Sequence, residues 1–362
     1  MTRFGAFDHA MMRRALELAA KGLYTTTPNP RVGCVLTLDE QILGEGWHEK
    51  AGEPHAERIA LEKAGSRAAG ATVYVNLEPC NHHGRTPPCA EALVSSKVKR
   101  VVAAMRDPNP KAAHGGDVLS AAGIRFEHGL MEDEARELNI GFVSRVTRGR
   151  PWVRLKVAAT LDGRSALGEG SGANAGRSQW ITGAEARRDG HRWRARACAI
   201  LTGIGTVKAD DPRLTVREVE TTRQPLRVVV DSRLEISDDA RILEGGNVLV
   251  FSGTKGKSLN RAENIVLPNP QGKVDLPKML AELARRGVNE LHVEAGFRLN
   301  GSLTREGCVD EFLVYLNPSF LGDAAQGMLD LPALASLENR IKLRILSLER
   351  LGEDLRILAR PA

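Results

Sequence analysis

"HAE" at 55–57, "EPC" at 78–80 and "TPPC" at 86–89 bring one imidazole, two carboxylates and two thiols into one short region. A catalytic zinc takes three protein ligands and leaves a fourth position open to water. His55, Cys80 and Cys89 form such a set. Two thiolates offset the charge of the cation, which in turn keeps both sulfurs deprotonated. Pro54, Pro79 and Pro88 precede the three ligands, so each ligand reads as standing at a helix entry, where an anion is favoured. Glu57 follows His55 too closely to be an independent ligand, yet it is well placed to exchange a proton with the water. Two other readings stay open on these residues alone. His82 or His83 as a fourth ligand would close the site, and scattered Cys and His can be plain core or loop residues. Neither gives Glu57 a task.

Working outward, the pattern His-x-Glu followed by Pro-Cys-x-x-Cys marks zinc-dependent nucleobase deaminases. The first half matches. The second departs, because the eight residues NHHGRTPP (81–88) separate Cys80 from Cys89. Around these fragments we expect a helix over 9–20, capped by Asp8 and stopped at Gly22. Strands follow at 32–38, 71–76 and 98–105, with helices over 54–65 and 89–96. GGDVLSAAGIRFEHG (115–129) reads as helix, glycine stop and short strand. The alternation implies a mostly parallel sheet covered by helices on its faces.

A helix over 131–146 runs into RGRPW (148–152), a Gly/Pro break that divides the chain into domains 1–147 and 148–362. Beyond it, strands are expected at 153–160, 198–202, 227–231, 247–251, 289–294, 310–317, 341–348 and 354–359. Helices are expected over 183–195, 275–287 and 297–306. The last two strands have no helix between them, so this sheet should be mixed. AILTGIGTV (199–207) is a strand entering Gly-x-Gly without the third glycine, a weak dinucleotide signal or a ligand-free tight turn. VEAGFRLNGSL (293–303) ends a strand at Glu294–Ala295–Gly296 and opens a helix, either a phosphate-binding terminus or a simple turn.

The totals agree with two domains, since single cores stop growing near ~250–300 residues and this chain has 362. The charge excess is 51 − 45 = +6, spread without a Lys/Arg block, and suits phosphorylated small molecules as well as it suits nucleic acid. Apolar runs are of strand length, so no membrane span is expected. The N-terminus lacks the apolar core of a signal peptide. Five cysteines, an odd number, do not make a disulfide framework. A cytoplasmic protein with free or metal-bound cysteines is expected.

TTPNPRVGCVL (26–36), HEKAGEPHAERIAL (48–61), YVNLEPCNHHGRTPPCAEAL (74–93) and DPNP (107–110) resemble the deaminase domain of the bifunctional riboflavin-biosynthesis deaminase/reductase family. That family carries the longer Cys–Cys insertion. The resemblance implies that His55, Cys80 and Cys89 bind Zn2+, that Glu57 shuttles protons and that Asn29 contacts the pyrimidine. KAAHGGDVL (111–119) departs from the family pattern. LKVAATLDGR (155–164), SQWIT (178–182), ARRDGHRWRA (186–195), GTVKADDPRLTVR (205–217), VVVDSR (228–233) and VEAG (293–296) resemble the family's reductase domain.

The implied fold is α/β throughout. A cytidine-deaminase-like three-layer domain is followed by a dihydrofolate-reductase-like domain with a mixed sheet. By matched position, Ala158, Trp180, Thr206, Asp210, Ser232 and the run Gly296, Phe297, Arg298, Leu299, Asn300, Gly301 and Ser302 would face NADPH. Ser178, Arg194, Leu214, Arg217 and Glu294 would face the substrate, with Lys156 a neighbour of the reacting sugar. Trp180 is also readable as a core residue, the commoner role of tryptophan. LGEGSGANAGRSQW (167–180) is longer than the family's usual stretch, and Arg177 stands where an acidic residue is common.

The implied activity is zinc-dependent deamination of a phosphorylated pyrimidine, then NADPH-dependent reduction of its ribosyl group, by a homo-oligomer (dimer or tetramer). An RNA or nucleoside deaminase with an appended domain is the alternative. It calls for aromatic platforms and a basic stripe, and only 4% of residues are aromatic. A zinc-stabilised binding protein would leave Glu57 without a role.

Overall fold

Successive residues of the first strand turn to different cores: Cys34 and Leu36 pack into one buried cluster and Val35 into another. That alternation makes this a central strand covered on both faces. The structure, a computed structural model, describes residues 3–82, 87–168, 180–256 and 258–362. It divides into two units, Met1–Gly149 and Arg150–Ala362. Among the described residues no helix is long and apolar enough to cross a membrane.

The first unit runs α1 (Ala6–Ala20), β1 (Gly33–Leu38), β2 (Gln41–Trp47), α2 (Ala56–Ala64), β3 (Thr72–Leu77), α3 (Cys89–Ser95), β4 (Arg100–Met105), α4 (Gly115–Ala121), β5 (Arg125–His128), α5 (Glu132–Leu138) and α6 (Ile140–Arg148). The sheet order is β2-β1-β3-β4-β5. β3, β4 and β5 are parallel, whereas β1 is antiparallel to both β2 and β3, so this sheet is mixed rather than mostly parallel. Ala56 and Ala60 of α2, Leu93 of α3 and Leu119 of α4 cover one face. Met12 and Ala15 of α1, Ala135 of α5 and Phe142 of α6 cover the other.

β2 is a strand that sequence reasoning missed. Asp39 and Glu40 turn the chain with positive φ (47° and 64°), and the two glycines of QILGEGW hide the strand pattern. Those glycines let α2 lie directly on β2. A Cβ on Gly44 would stand 2.2 Å from Ala60 O, and one on Gly46 would stand 2.4 Å from Ala56 O. Asp8 does not cap α1. The cap is Gly5, and Asp8, at the third helical position, accepts the Gly5 N–H at 3.0 Å. The helix read over 131–146 breaks at Asn139, whose side chain is taken by the Arg31 backbone. Asn139 Oδ1 accepts Arg31 N–H at 2.8 Å, and its Nδ2 donates to Arg31 O at 2.9 Å.

The second unit runs β6 (Trp152–Thr160), β7 (Arg164–Ala166), α7 (Ala184–Arg196), β8 (Ala199–Gly203), α8 (Ile204–Asp210), β9 (Leu226–Val230), β10 (Val248–Ser252), β11 (Glu263–Val266), α9 (Leu276–Arg285), β12 (Glu290–Val293), α10 (Phe297–Arg305), β13 (Glu311–Asn317), β14 (Gln326–Gly327), β15 (Leu343–Leu351) and β16 (Asp354–Pro361). Its nine-stranded sheet has the order β11-β10-β9-β8-β12-β6-β13-β16-β15. Strands from β11 to β13 are parallel, and β16 is antiparallel to β13 and β15, the mixed end expected from two consecutive strands.

Alternation also gives this sheet unlike faces. Val153, Leu155, Val157, Leu291, Val293 and Phe312 pack with α9 and α10. The intervening positions carry charge. Arg154, only 1% exposed, reaches Glu290 and Glu311, and Arg196 of α7 donates to Glu290 at 2.7 Å. Buried charges persist only when paired, and this pairing ties α7 to the sheet. Tyr315 Oη donates to Asp189 of α7 at 2.8 Å, and Trp193 Nε1 donates to the same carboxylate at 3.3 Å.

Candidate active sites

In the first unit the ends of β3, α2 and α3 meet. His55 is the N-cap residue of α2 and Cys89 the first residue of α3. Cys80 stands in the loop after β3, not at a helix entry, so two helix ends converge rather than three. The α3 terminus still serves Cys80, because Cys89 N–H lies 3.5 Å from its sulfur. His55 Nδ1 is 3.3 Å from Cys89 Sγ and 3.5 Å from Cys80 Sγ. A tetrahedral zinc with Zn–N of about 2.0–2.1 Å and Zn–S of about 2.3 Å places N and S about 3.5 Å apart, so the trio fits that ion. No fourth His, Cys, Asp or Glu joins the group among the described residues. His82 is exposed, and His83 lies outside the described residues.

The Cys89 thiol hydrogen-bonds the Cys80 sulfur and, with His55, draws it down to about 4, while Cys89 is pushed up in return. Glu57, buried at 3% exposure, lies beside Cys89. Burial pushes its carboxyl up and the Cys80 thiolate adds to the effect, which poises it for proton exchange.

Asn29 Nδ2 donates to His48 Nε2 at 3.0 Å, and His48 Nδ1 donates to Pro54 O at 3.1 Å. The His48 ring also stands edge-on to His55 at 5.4 Å. His48 escaped the sequence reading although it lies in the quoted HEKAGEPHAE run. Glu78 escaped it too. This buried carboxylate accepts Gly116 N–H at 2.8 Å and Asp107 N–H at 3.1 Å, tying the ends of β3 and β4 to the start of α4. The unusual KAAHGGDVL run fits there. Gly115 packs so close to Pro79 that a Cβ would stand 1.8 Å from its carbonyl oxygen.

In the second unit, β8 and β12 are adjacent parallel strands, and each enters a helix through a glycine turn. The helix α8 was not anticipated, because the Gly-x-Gly after β8 masked it. The two turns touch. A Cβ on Gly296 would come 3.5 Å from Thr206 Oγ1, and one on Gly203 would come 3.1 Å from Leu299. The first N–H groups of a helix have no intrahelical acceptor, so the Gly296–Phe297–Arg298 start of α10 offers donors to a phosphate. These turns fit a dinucleotide outside the carboxyl ends of parallel strands.

Asn300 and Gly301 turn inward instead. Asn300 Nδ2 donates to Ala295 O at 3.0 Å, and Gly301 packs on Asp330. Ser302 bonds its own helix at Arg298 O. Ala158 lies opposite Tyr315 in the β6–β13 ladder, and Asp210 closes α8. Ser232 Oγ accepts Val274 N–H at 3.1 Å. Trp180 is 73% exposed with the Arg187 guanidinium 3.9 Å over its ring, so it is not a core residue. Ser178 and Arg177 lie outside the described residues.

Arg194 of α7 and Glu294 after β12 form a two-pronged pair. Burial opposes the charge of Glu294, but Arg194 overrides it and holds the carboxyl well below the usual range. Burial lowers Lys156, which is flanked by Glu294 and Arg194. Arg194 Nη1 also donates to Thr215 O at 3.1 Å, which brings the Leu214–Arg217 segment to the same place. His292 lies beneath, fully buried, with Nε2 3.4 Å from Glu294 Oε1.

Residues 6–105 match the cytidine and deoxycytidylate deaminase zinc-binding region, and residues 151–357 match the RibD C-terminal domain. The riboflavin biosynthesis protein RibD of Escherichia coli strain K12 is 44% identical over 96% of this chain and 97% of its own length. That of Haemophilus influenzae is 43% identical over 100% and 99%. The structure of Acinetobacter baumannii RibD superposes with a TM-score of 0.91 at 42% identity, covering 98% of this chain and 99% of that one. A diaminohydroxyphosphoribosylaminopyrimidine deaminase/5-amino-6-(5-phosphoribosylamino)uracil reductase from Thermotoga maritima does so with 0.88 at 33% identity over the same shares. The chain therefore belongs to the RibD family of riboflavin biosynthesis, bifunctional enzymes that join a zinc-dependent deaminase to an NADPH-dependent reductase.

Proposed function

We propose that residues 1–147 hydrolyse the 2-amino group of 2,5-diamino-6-(5-phosphoribosylamino)pyrimidin-4-one, releasing ammonia, and that residues 148–362 reduce the ribosyl group of the product to ribityl. The observation that carries this reading is the His55–Cys80–Cys89 trio with the buried Glu57 beside it. A zinc ion held by the trio would lower the pKa of a water in its open position to about 7. Glu57 takes a proton from the attacking water and gives it to the ring nitrogen as the C–O bond forms, then carries the new hydroxyl proton to the amino group, so that the C–N bond breaks and ammonia leaves. Asn29, its amide oriented by His48, holds the pyrimidine edge.

In the second unit NADPH supplies the hydride. The α10 start with Thr206, Asp210, Ser232, Ala158 and Trp180 would orient the cofactor. Arg194, Leu214, Arg217, Glu294 and Ser178 would face the substrate, with the Arg217 guanidinium matching the phosphate through its fixed fork and Arg194, whose own fork is taken by Glu294, adding positive charge. Lys156, its amine made easier to deprotonate by burial, would pass a proton at the reacting sugar.

We further propose a cytoplasmic homo-oligomer. The five cysteines are unpaired by disulfides, and the edge strand β15 exposes Ile345 and Leu348 at 61% and 59%. Coupled conversion of the diaminopyrimidine with and without NADPH tests the reading. Ammonia release without NADPH, followed by NADPH oxidation that depends on the deaminated product, is the expected result. Absence of ammonia release from zinc-loaded protein would overturn it.

A further inference from the structure

The segment Leu214–Arg217 belongs to no helix or strand, yet side chains hold its backbone at Thr215, Val216 and Arg217. Arg194 Nη1 donates to Thr215 O at 3.1 Å. Gln224 takes both polar groups of Val216, accepting its N–H at 2.8 Å and donating to its carbonyl at 3.1 Å. His191 Nδ1 accepts Arg217 N–H at 3.2 Å. The segment also contains a strained residue, since buried Leu214 has φ +48°. A side chain with a Cβ adopts this conformation only when its surroundings impose it.

His191 and Arg194 are three residues apart on α7, so they share one face of the helix and grip the segment together. Because His191 Nδ1 accepts, its proton is on Nε2, and the imidazole must be neutral. Burial, then the Arg194 and Arg217 guanidinium groups, press its pKa to about 4, which keeps that lone pair available at ordinary pH. Its Nε2 side faces Glu218 Oε1 at 4.0 Å.

We propose that His191 and Gln224 are positioning residues of the reductase site, holding Leu214–Arg217 in the one conformation that presents Arg217 to the sugar phosphate. This rests on the reading above that Arg217 faces the substrate. Neither residue needs to touch the substrate. Their role is to fix beforehand a loop that would otherwise have to order on binding.

The test uses the full-length zinc-loaded enzyme and measures reduction with the deaminated phosphoribosyl substrate. Arg217→Ala serves as the benchmark and should raise KM for this substrate. His191→Ala should raise the same KM about five- to tenfold, the size of one lost neutral hydrogen bond, with kcat changed less and KM for NADPH unchanged. His191→Asn places an amide oxygen near the Nδ1 position and should restore most of the affinity. Gln224→Leu, a second route to the same loop, should reproduce the KM effect. An unchanged melting transition of the second unit, measured by calorimetry on the same preparations, checks that each variant is folded.

If Arg217→Ala raises KM while His191→Ala and Gln224→Leu do not, the positioning role is wrong. If His191→Ala lowers kcat and NADPH affinity as much as substrate affinity, or Asn rescues nothing, the role is also overturned. If Arg217→Ala has no effect, it is the underlying substrate reading that fails.

Discussion

Glu294 accepts both Nε and Nη2 of Arg194, the second at 2.8 Å, and the pair lies where β12 ends over α7. Removing one partner of a largely buried pair leaves a charge without full compensation, a loss of up to about 3–5 kcal/mol. Glu294→Ala should therefore lower the melting temperature of the second unit by roughly 10 °C and abolish NADPH oxidation. Calorimetry and a reductase assay measure both, and an unchanged melting transition would show that the pair is not structural.

Glu57→Gln keeps the size of the side chain and removes its capacity to take a proton. Ammonia release should fall by about 10²–10⁴-fold while the zinc content stays at about one per chain. Reduction of supplied deaminated substrate should be unchanged, because Glu57 belongs to the first unit only. Retained deamination would remove Glu57 from the mechanism.

Cys80→Ser deletes one of the two thiolates, so zinc by elemental analysis should drop well below one per chain and ammonia release should vanish. Chelation of the parent enzyme should do the same and be reversed by added zinc. NADPH oxidation should survive both treatments, which separates metal loss from unfolding of the whole chain.

The clustering of His55, Cys80 and Cys89 with Glu57 was legible because it is local in sequence: residue types and spacing carry it. The mixed end of the second sheet was legible for a like reason, two strand patterns without a helix between them. β2 was not, because Gly44 and Gly46 are dictated by the approach of α2 rather than by strand propensity. The Cys80 helix entry failed because Pro79 starts no helix there. Its carbonyl packs on Gly115, a contact set by tertiary structure. His48, Glu78 and His191 were hidden because each acts mainly on a backbone group or a side chain distant in sequence, and no spacing rule records such partners.

Asp8 gives the first unit a defined acid response. Burial works against its charge, but hydrogen bonds from Arg100, Tyr74 and the Gly5 N–H prevail and hold its carboxyl down to about 2. A depressed carboxylate contributes stability that is full above its unfolded pKa, about 4, and is lost as pH falls toward 2. The contribution is roughly 1–2 kcal/mol after allowance for solvent screening. Asp8→Asn should lower stability at pH 7 and flatten the decline between about pH 4 and 2. Denaturant titrations of both proteins across that range measure it, and parallel curves would contradict it.

β15 is the outer strand of the nine-stranded sheet, and its sequence LRILSLERL is exposed over most of its length. An unpaired apolar edge invites another strand. A second copy pairing antiparallel with Arg344 opposite Glu349 also places Ile345 opposite Leu348, so each pair occurs twice and both are complementary. Arg344 and Glu349 are the charges that would set this register. The parent should sediment as a dimer or tetramer at micromolar concentration. Replacing both apolar residues, Ile345→Lys with Leu348→Lys, should yield monomers that keep their zinc and release ammonia. A doubly substituted protein with the sedimentation coefficient of the parent would place the contact elsewhere, and a monomeric parent would remove the oligomer from the account.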